Sequence, residues 1–182
     1  MAQTATLYYF EVELAHVDRG VYASLTFRVA QHPSETDEAL LTRVLAYCLE
    51  YTGGIQFSSQ GLSEPDDPPV SVRDATGALL VWIDIGVPDA ARLHKASKAA
   101  PRVAVYTHKD PARLVRLLEG ERIHRRDALE IYAVDRDFLT NWVARLSRRM
   151  RFDLSVSDGQ IYLVLEDATL TGAVVAQALV SD

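Results

Sequence analysis

Asp84 is a carboxylate inside an otherwise apolar and largely β-branched run, LLVWIDIG at residues 79–86. An ionised group in such a strand is costly unless it is paired or coordinates a metal. Further chemistry-bearing side chains flank it in sequence. Asp37 and Glu38 open a predicted helix, the acidic, proline-rich loop GLSEPDDPP carries Asp67, a turn after it carries Asp74, and Lys95 follows the strand. These residue types are the ingredients of magnesium-dependent phosphodiester hydrolysis. Mg²⁺ prefers carboxylate oxygens and retained waters, while a nearby ammonium orients the attacking water or stabilises charge on the phosphate. On this reading Asp84 with Asp67 or Asp74 holds Mg²⁺, the helix acid assists directly or through water, and Lys95 orients the nucleophile. The competing reading is structural: Asp84 pairs with a buried donor such as Lys95 or a tyrosine hydroxyl and needs no metal.

Other candidates read as architecture. His16, His32, His94, His108 and His124 are scattered without zinc-type spacing. Ser34 reads as a helix cap, because no base stands beside it in sequence to make it a nucleophile. Trp82 and Trp142 read as core. The lone Cys48 falls on an apolar helical face and has no internal partner for a disulfide, which points to a reducing compartment, most simply the cytoplasm.

A net charge of −6 argues against a general nucleic-acid surface, which needs many phosphate-neutralising cations. A local basic face stays open, because Arg122, Arg125 and Arg126 cluster, as do Arg145, Arg148, Arg149 and Arg151. A protein partner also stays open. No apolar stretch is long enough to span a bilayer, and no basic region precedes a hydrophobic block at the N-terminus, so neither membrane insertion nor export is expected. With 182 residues, almost half of them apolar, one compact domain over residues 1–182 is expected.

Hydrophobic periodicity places the elements. Residues 7–14 and 22–29 alternate with period two around a turn, a hairpin with one buried face. A helix capped by Ser34 runs to about Tyr51. Successive side chains rotate by about 100°, which sets Asp37 and Glu38 at the edges of its apolar arc and Glu35 outside it. Residues 70–73 and 79–85 form a second hairpin, and apolar residues on both faces make the later strand central. Pro88 fits the first turn of the next helix. Strands at 102–107 and 128–134 alternate with helices at 111–119 and after Asp135, residues 152–156 and 161–165 form a β-hairpin, and residues 170–180 read as a last strand whose alanines leave a helix open. The class is α/β (α+β mixed), a central mixed sheet flanked by helices, with an N-terminal hairpin and extra C-terminal strands.

Several motifs together resemble the bacterial YaeQ proteins: HPSET at residues 32–36, the DPP of the loop, WIDIGVPD at residues 82–89 and Lys95 in RLHKA. The opening ATLYYFEVEL, the Asp18-Arg19 turn and the DGQIYL hairpin extend that resemblance over essentially the whole chain. It implies a restriction-endonuclease-like core, a variant of the PD-(D/E)xK nuclease superfamily. Carried over to this sequence, the helix acid of that superfamily falls on Glu38 and the strand acid on Asp84. The lysine slot two residues after Asp84 holds Gly86, so the cation is assigned to Lys95. Pro69 stands where the pattern has an acid after the loop proline, leaving Asp67 or Asp74 as substitutes. A catalytically silent member of the same fold, binding a protein or nucleic acid, is the alternative.

Overall fold

The computed structural model describes residues 4–58 and 66–179. In chain order its elements are β1 (Thr6–His16), β2 (Val21–Gln31), α1 (Asp37–Leu49), β3 (Ile55–Phe57), β4 (Val70–Arg73), β5 (Leu79–Ile85), α2 (Ala90–Ala99), β6 (Arg102–Thr107), α3 (Pro111–Leu118), β7 (Glu130–Val134), α4 (Arg136–Val143), β8 (Arg149–Ser157), β9 (Gln160–Val164) and β10 (Thr169–Gln177). The class is mixed α/β, as expected. The chain packs as two compact units, one from Met1–Leu41 with Val134–Val175, the other from Thr42–Ala133 with Ala176–Asp182. No helix among the described residues is long and apolar enough to cross a membrane.

The first unit arranges its strands in the order β2-β1-β8-β9-β10. β1 runs antiparallel to β2 and parallel to β8, and β9 is antiparallel to both β8 and β10. Alternation along these strands buries Phe10, Val12 and Leu14 on β1, Phe152, Leu154 and Val156 on β8, and Ile161 and Leu163 on β9. Helix α4 contributes Phe138, Leu139 and Trp142 to this core. The Trp142 and Phe152 rings meet edge to face at 5.4 Å, and Phe10 meets Phe152 at 6.3 Å. Asp135 caps α4 as expected, accepting from the amides of Asp137 and Phe138. The other face of this sheet is open.

The second unit arranges its strands as β7-β6-β5-β4-β3. β5, β6 and β7 are mutually parallel neighbours, whereas β4 is antiparallel to both β5 and β3. β5 is therefore central, as its two apolar faces require. Trp82, Val103, Val105 and Ile131 project from one face into a cluster with Leu93 and Ala96 of α2 and Leu114 and Leu118 of α3. Each such large side chain contributes roughly 1.5–3 kcal/mol by leaving water.

Two expected helix starts move, and one acid is placed differently. Thr36, not Ser34, caps α1, its hydroxyl accepting from the Ala39 amide, while the Ser34 hydroxyl and amide both contact His32 Nδ1. Pro88 lies outside α2, whose cap is Asp89 accepting from the Arg92 amide at 2.8 Å. Glu35 is buried at 6% exposure, and its Oε1 accepts from the His32 amide. It lies in the turn before α1, where helical rotation does not apply.

Candidate functional site

Asp84 stands one residue from the C-terminal end of β5, on the face turned to α2, and is 3% exposed. Trp82 precedes it on the same face by the strand period of two. The Trp82 indole Nε1 donates to Asp84 Oδ2 at 3.2 Å, and Arg92 Nε of α2 donates to the same oxygen at 2.7 Å. The Arg92 guanidinium carbon lies 5.3 Å from the Trp82 ring centroid. Ring, carboxylate and guanidinium thus form a closed triad. Arg92 is held twice, its amide by the Asp89 cap and its side chain by Asp84. Asp84 thus has donors, but they are the buried Trp82 indole and the partly buried Arg92, not Lys95 or a tyrosine hydroxyl.

Lys95 lies one helical turn beyond Arg92 on α2 and pairs with Asp66, both side chains being largely exposed. Asp67, the residue expected at the metal, accepts from the Ser58 hydroxyl at 2.5 Å. Asp74 sits at the opposite end of the β4–β5 hairpin from Asp84, where it accepts from the Thr76 amide and hydroxyl and the Ala78 amide. The Thr76 hydroxyl, first among these donors, holds its carboxyl below the usual range. Asp74 is a turn-forming residue there. Glu38 occupies the first turn of α1, is exposed, and belongs to the first unit. Gly86, in the lysine slot, has φ +89° and donates its amide to the Tyr106 carbonyl. A lysine in that left-handed backbone would be strained.

These placements test whether the residues suit a divalent cation. Asp84 is neutralised by Arg92 and Asp66 by Lys95. Asp74 lies a hairpin's length from Asp84. Among the described residues no group of three or more His, Cys, Asp or Glu side chains is arranged to hold a metal ion. The expected Mg²⁺ ligand set does not fit here.

A network that sequence reading missed lies elsewhere in the second unit. Arg102 at the start of β6 donates to both oxygens of Glu50, just past α1, and to both oxygens of Glu130 on β7. The Tyr106 hydroxyl donates to Glu50 at 2.7 Å and the Tyr132 hydroxyl to Glu130 at 2.5 Å. Hydrogen bonding to Arg102 holds the Glu130 carboxyl below its ordinary range, while burial pushes Tyr106 up and Tyr132 up to about 12. Two carboxylates sharing one guanidinium, each capped by a phenol, form a saturated polar network.

The family model described as YaeQ protein matches residues 1–174. The chain belongs to the YaeQ family. It is 30% identical over 164 residues to the YaeQ protein of Escherichia coli (strain K12), covering 90% of each chain, and equally similar to that of Salmonella typhi. The crystal structure of the YaeQ protein from Xanthomonas axonopodis pv. citri matches with a TM-score of 0.81 at 30% identity, over 96% of this chain and 98% of that one. The Pseudomonas syringae structure matches with a TM-score of 0.85 at 28% identity, over 97% and 98%.

In this member of the YaeQ family the arginines of the two basic clusters take different roles, and the division runs within the second cluster. Arg125 donates to the carbonyls of Ser97, Ala100 and Pro101, Arg126 to that of Leu118, Arg145 to that of Asn141, and Arg148 to that of Leu7. Those arginines close helix ends and loops. Arg149 and Arg151 instead stand on the open sheet face of the first unit. There Arg28 of β2, Tyr9 of β1 and Arg149 of β8 are directly cross-strand, with the Arg149 guanidinium carbon 5.6 Å from the Tyr9 ring centroid. The next row on that face is Thr26, Glu11 and Arg151. Farther along, Tyr22 and Tyr162 stand in one row with only Ala15 and Ser155 between them, and both tyrosines are exposed.

Proposed function

We propose that this protein is a metal-independent binding module for single-stranded nucleic acid, built on a nuclease-like scaffold that does not hydrolyse phosphodiesters. The row Arg28, Tyr9, Arg149 carries the reading. A half-buried ring between two guanidiniums offers the combination a single strand needs, a stacking surface for a base and cations for the flanking phosphates. Arg151 adds a further cation and Glu11 subtracts one, so this end of the sheet keeps a surplus of positive charge on an acidic chain. Leu7, half-exposed on the same face, extends the apolar contact. The occupied state of Asp84 supports binding over hydrolysis, because its oxygen is committed to Arg92 and Trp82.

Fluorescence anisotropy with labelled twelve-nucleotide DNA and RNA tests this, in EDTA and in Mg²⁺. Binding is expected in both. Tyr9→Ala should weaken it by roughly 1–3 kcal/mol, as loss of one stacked base does. Arg149→Gln should reduce the slope of log affinity against log salt by about 0.7, the release expected for one phosphate contact on a single strand. Mg²⁺-dependent cleavage that Asp84→Asn abolishes would overturn the proposal, as would affinity unchanged by both Tyr9→Ala and Arg149→Gln.

A further inference from the structure

A second cationic site lies in the other unit. His94 and Lys98 stand one turn apart on α2, and the segment after α3 lays Arg122 and His124 against them. Together with Ala90, Ala91, Glu121 and Ile123 they line an open groove of about 720 Å³. The small side chains of Ala90 and Ala91 leave its floor low. Its far wall is fixed from beneath: Ile123 is buried in the core of this unit, and Arg125 clamps the carbonyls at the end of α2. The groove is therefore built into the fold and does not depend on a loop closing.

The His94 ring has a defined role in it. Its Nδ1 accepts from the His124 amide at 3.0 Å, so the ring proton sits on Nε2. The two imidazoles stand nearly perpendicular at 6.4 Å. A ligating metal would need that Nε2 lone pair, which carries the proton here, so the arrangement suits an acceptor-rich anion and not a cation. Burial, then the positive neighbours Lys98, Arg122 and His124, lower the His94 pKa, as a locally positive field requires. Neither Lys98 nor Arg122 has a carboxylate partner among the described residues' ion pairs, and Glu121 is the sole acid of the lining.

We infer that this groove is a binding site for a phosphate group, free or as a phosphomonoester, held by Lys98 and Arg122 as charges and by the imidazole N–H groups of His94 and His124 as directional donors. Three terminal oxygens meet donors from two elements, and charge-assisted hydrogen bonds of this kind are the stronger class. The site is independent of the sheet face proposed above and stands or falls alone.

The test is an NMR titration of histidine-labelled protein at pH 7.5 and constant ionic strength, with inorganic phosphate, a 5′-nucleoside monophosphate and, as control, chloride. Saturable shifts of His94 and His124 with a phosphate probe are expected, and none with chloride. Tighter binding of the monophosphate assigns the site to an ester, and tighter binding of inorganic phosphate assigns it to the free ion. Lys98→Gln and Arg122→Gln, both on exposed side chains, should each weaken binding about tenfold, in line with loss of one charged contact. Equal shifts with chloride, no saturation by either phosphate probe, or affinity untouched in both variants would overturn the inference.

Discussion

Asp84→Asn distinguishes a structural carboxylate from a metal ligand, and its size follows from the geometry. Asp84 Oδ2 accepts two hydrogen bonds, from Trp82 Nε1 at 3.2 Å and Arg92 Nε at 2.7 Å. A hydrogen bond to a charged group contributes about 1.5–3 kcal/mol and one between neutral groups about 0.5–1.5. An isosteric amide keeps an acceptor but loses the charge, so each bond weakens by about 1 kcal/mol. Arg92 also loses its carboxylate counter-charge, a penalty limited by the 23% exposure of its side chain. That exposure keeps the total below the roughly 3–5 kcal/mol of a fully buried broken pair. The expected destabilisation is about 2–3 kcal/mol, a fall in Tm of roughly 5–10 °C for a chain of this size. Thermal melts in EDTA read it directly. Arg92→Met should cost more, because it strands the buried carboxylate, and the double variant should recover part of the loss. An Asp84→Asn protein as stable as the wild type in EDTA, or more so, would refute this reasoning. If Mg²⁺ then raised the melting point of the wild type alone, Asp84 would be a metal ligand.

Arg102→Met should destabilise by roughly 2–4 kcal/mol, since it leaves Glu50 and Glu130 facing each other with the Glu50 side chain only 11% exposed. Glu130 has a depressed carboxyl pKa, so its contribution is complete above the unfolded value and is lost as pH falls through the folded one. Denaturant titrations from pH 6 to pH 3 should therefore show a shallower acid decline in Arg102→Met, and an unchanged decline would contradict the network's role. Gly172→Ala should cost about 1–3 kcal/mol, because its Cβ would lie 2.6 Å from Phe138 Cβ. Gly53→Ala, with open space at its Cβ, should stay within about 0.5 kcal/mol of wild type, and equal melts for the two variants would refute the packing account.

What could be read from the chain depended on the range of the interaction. Short apolar runs bounded by turn residues located β4, β5 and β6 to the residue, and the apolar residues on both faces of β5 placed it at the centre of its sheet. The three-residue β3 is too short to show a period and escaped notice. Asp84 stood out because burying a charge is costly wherever it occurs, but its partner was misassigned. Which α2 side chain reaches back depends on the helix's distance from the strand, and Arg92, one turn nearer than Lys95, is the one that does. A similar limit hid Asp66, although its position beside a proline in an acidic loop was visible. The Arg102 network joins residues 28 and 52 positions apart, with no local signature at any of them. Among the basic clusters, strand alternation could have marked Arg149 and Arg151 as one face, while the carbonyl-capping roles of Arg125 and Arg126 depend on tertiary contacts.

Asp18, in the turn between β1 and β2, accepts from the amides of Asp158 and Gly159 in the turn between β8 and β9, a span of 140 residues. Those two turns clasp the parallel pairing of β1 with β8 at one end. A nascent chain leaving the ribosome must therefore hold its first hairpin in waiting while residues 42–133 of the second unit are synthesised. The opening strands gain their permanent neighbour only when the last third of the chain has emerged. Closing so long a loop is slow, and the apolar face of an unpartnered hairpin is exposed to aggregation throughout that interval. Truncation from the C-terminus should on this account leave the earliest-made residues, not the latest, without a fold.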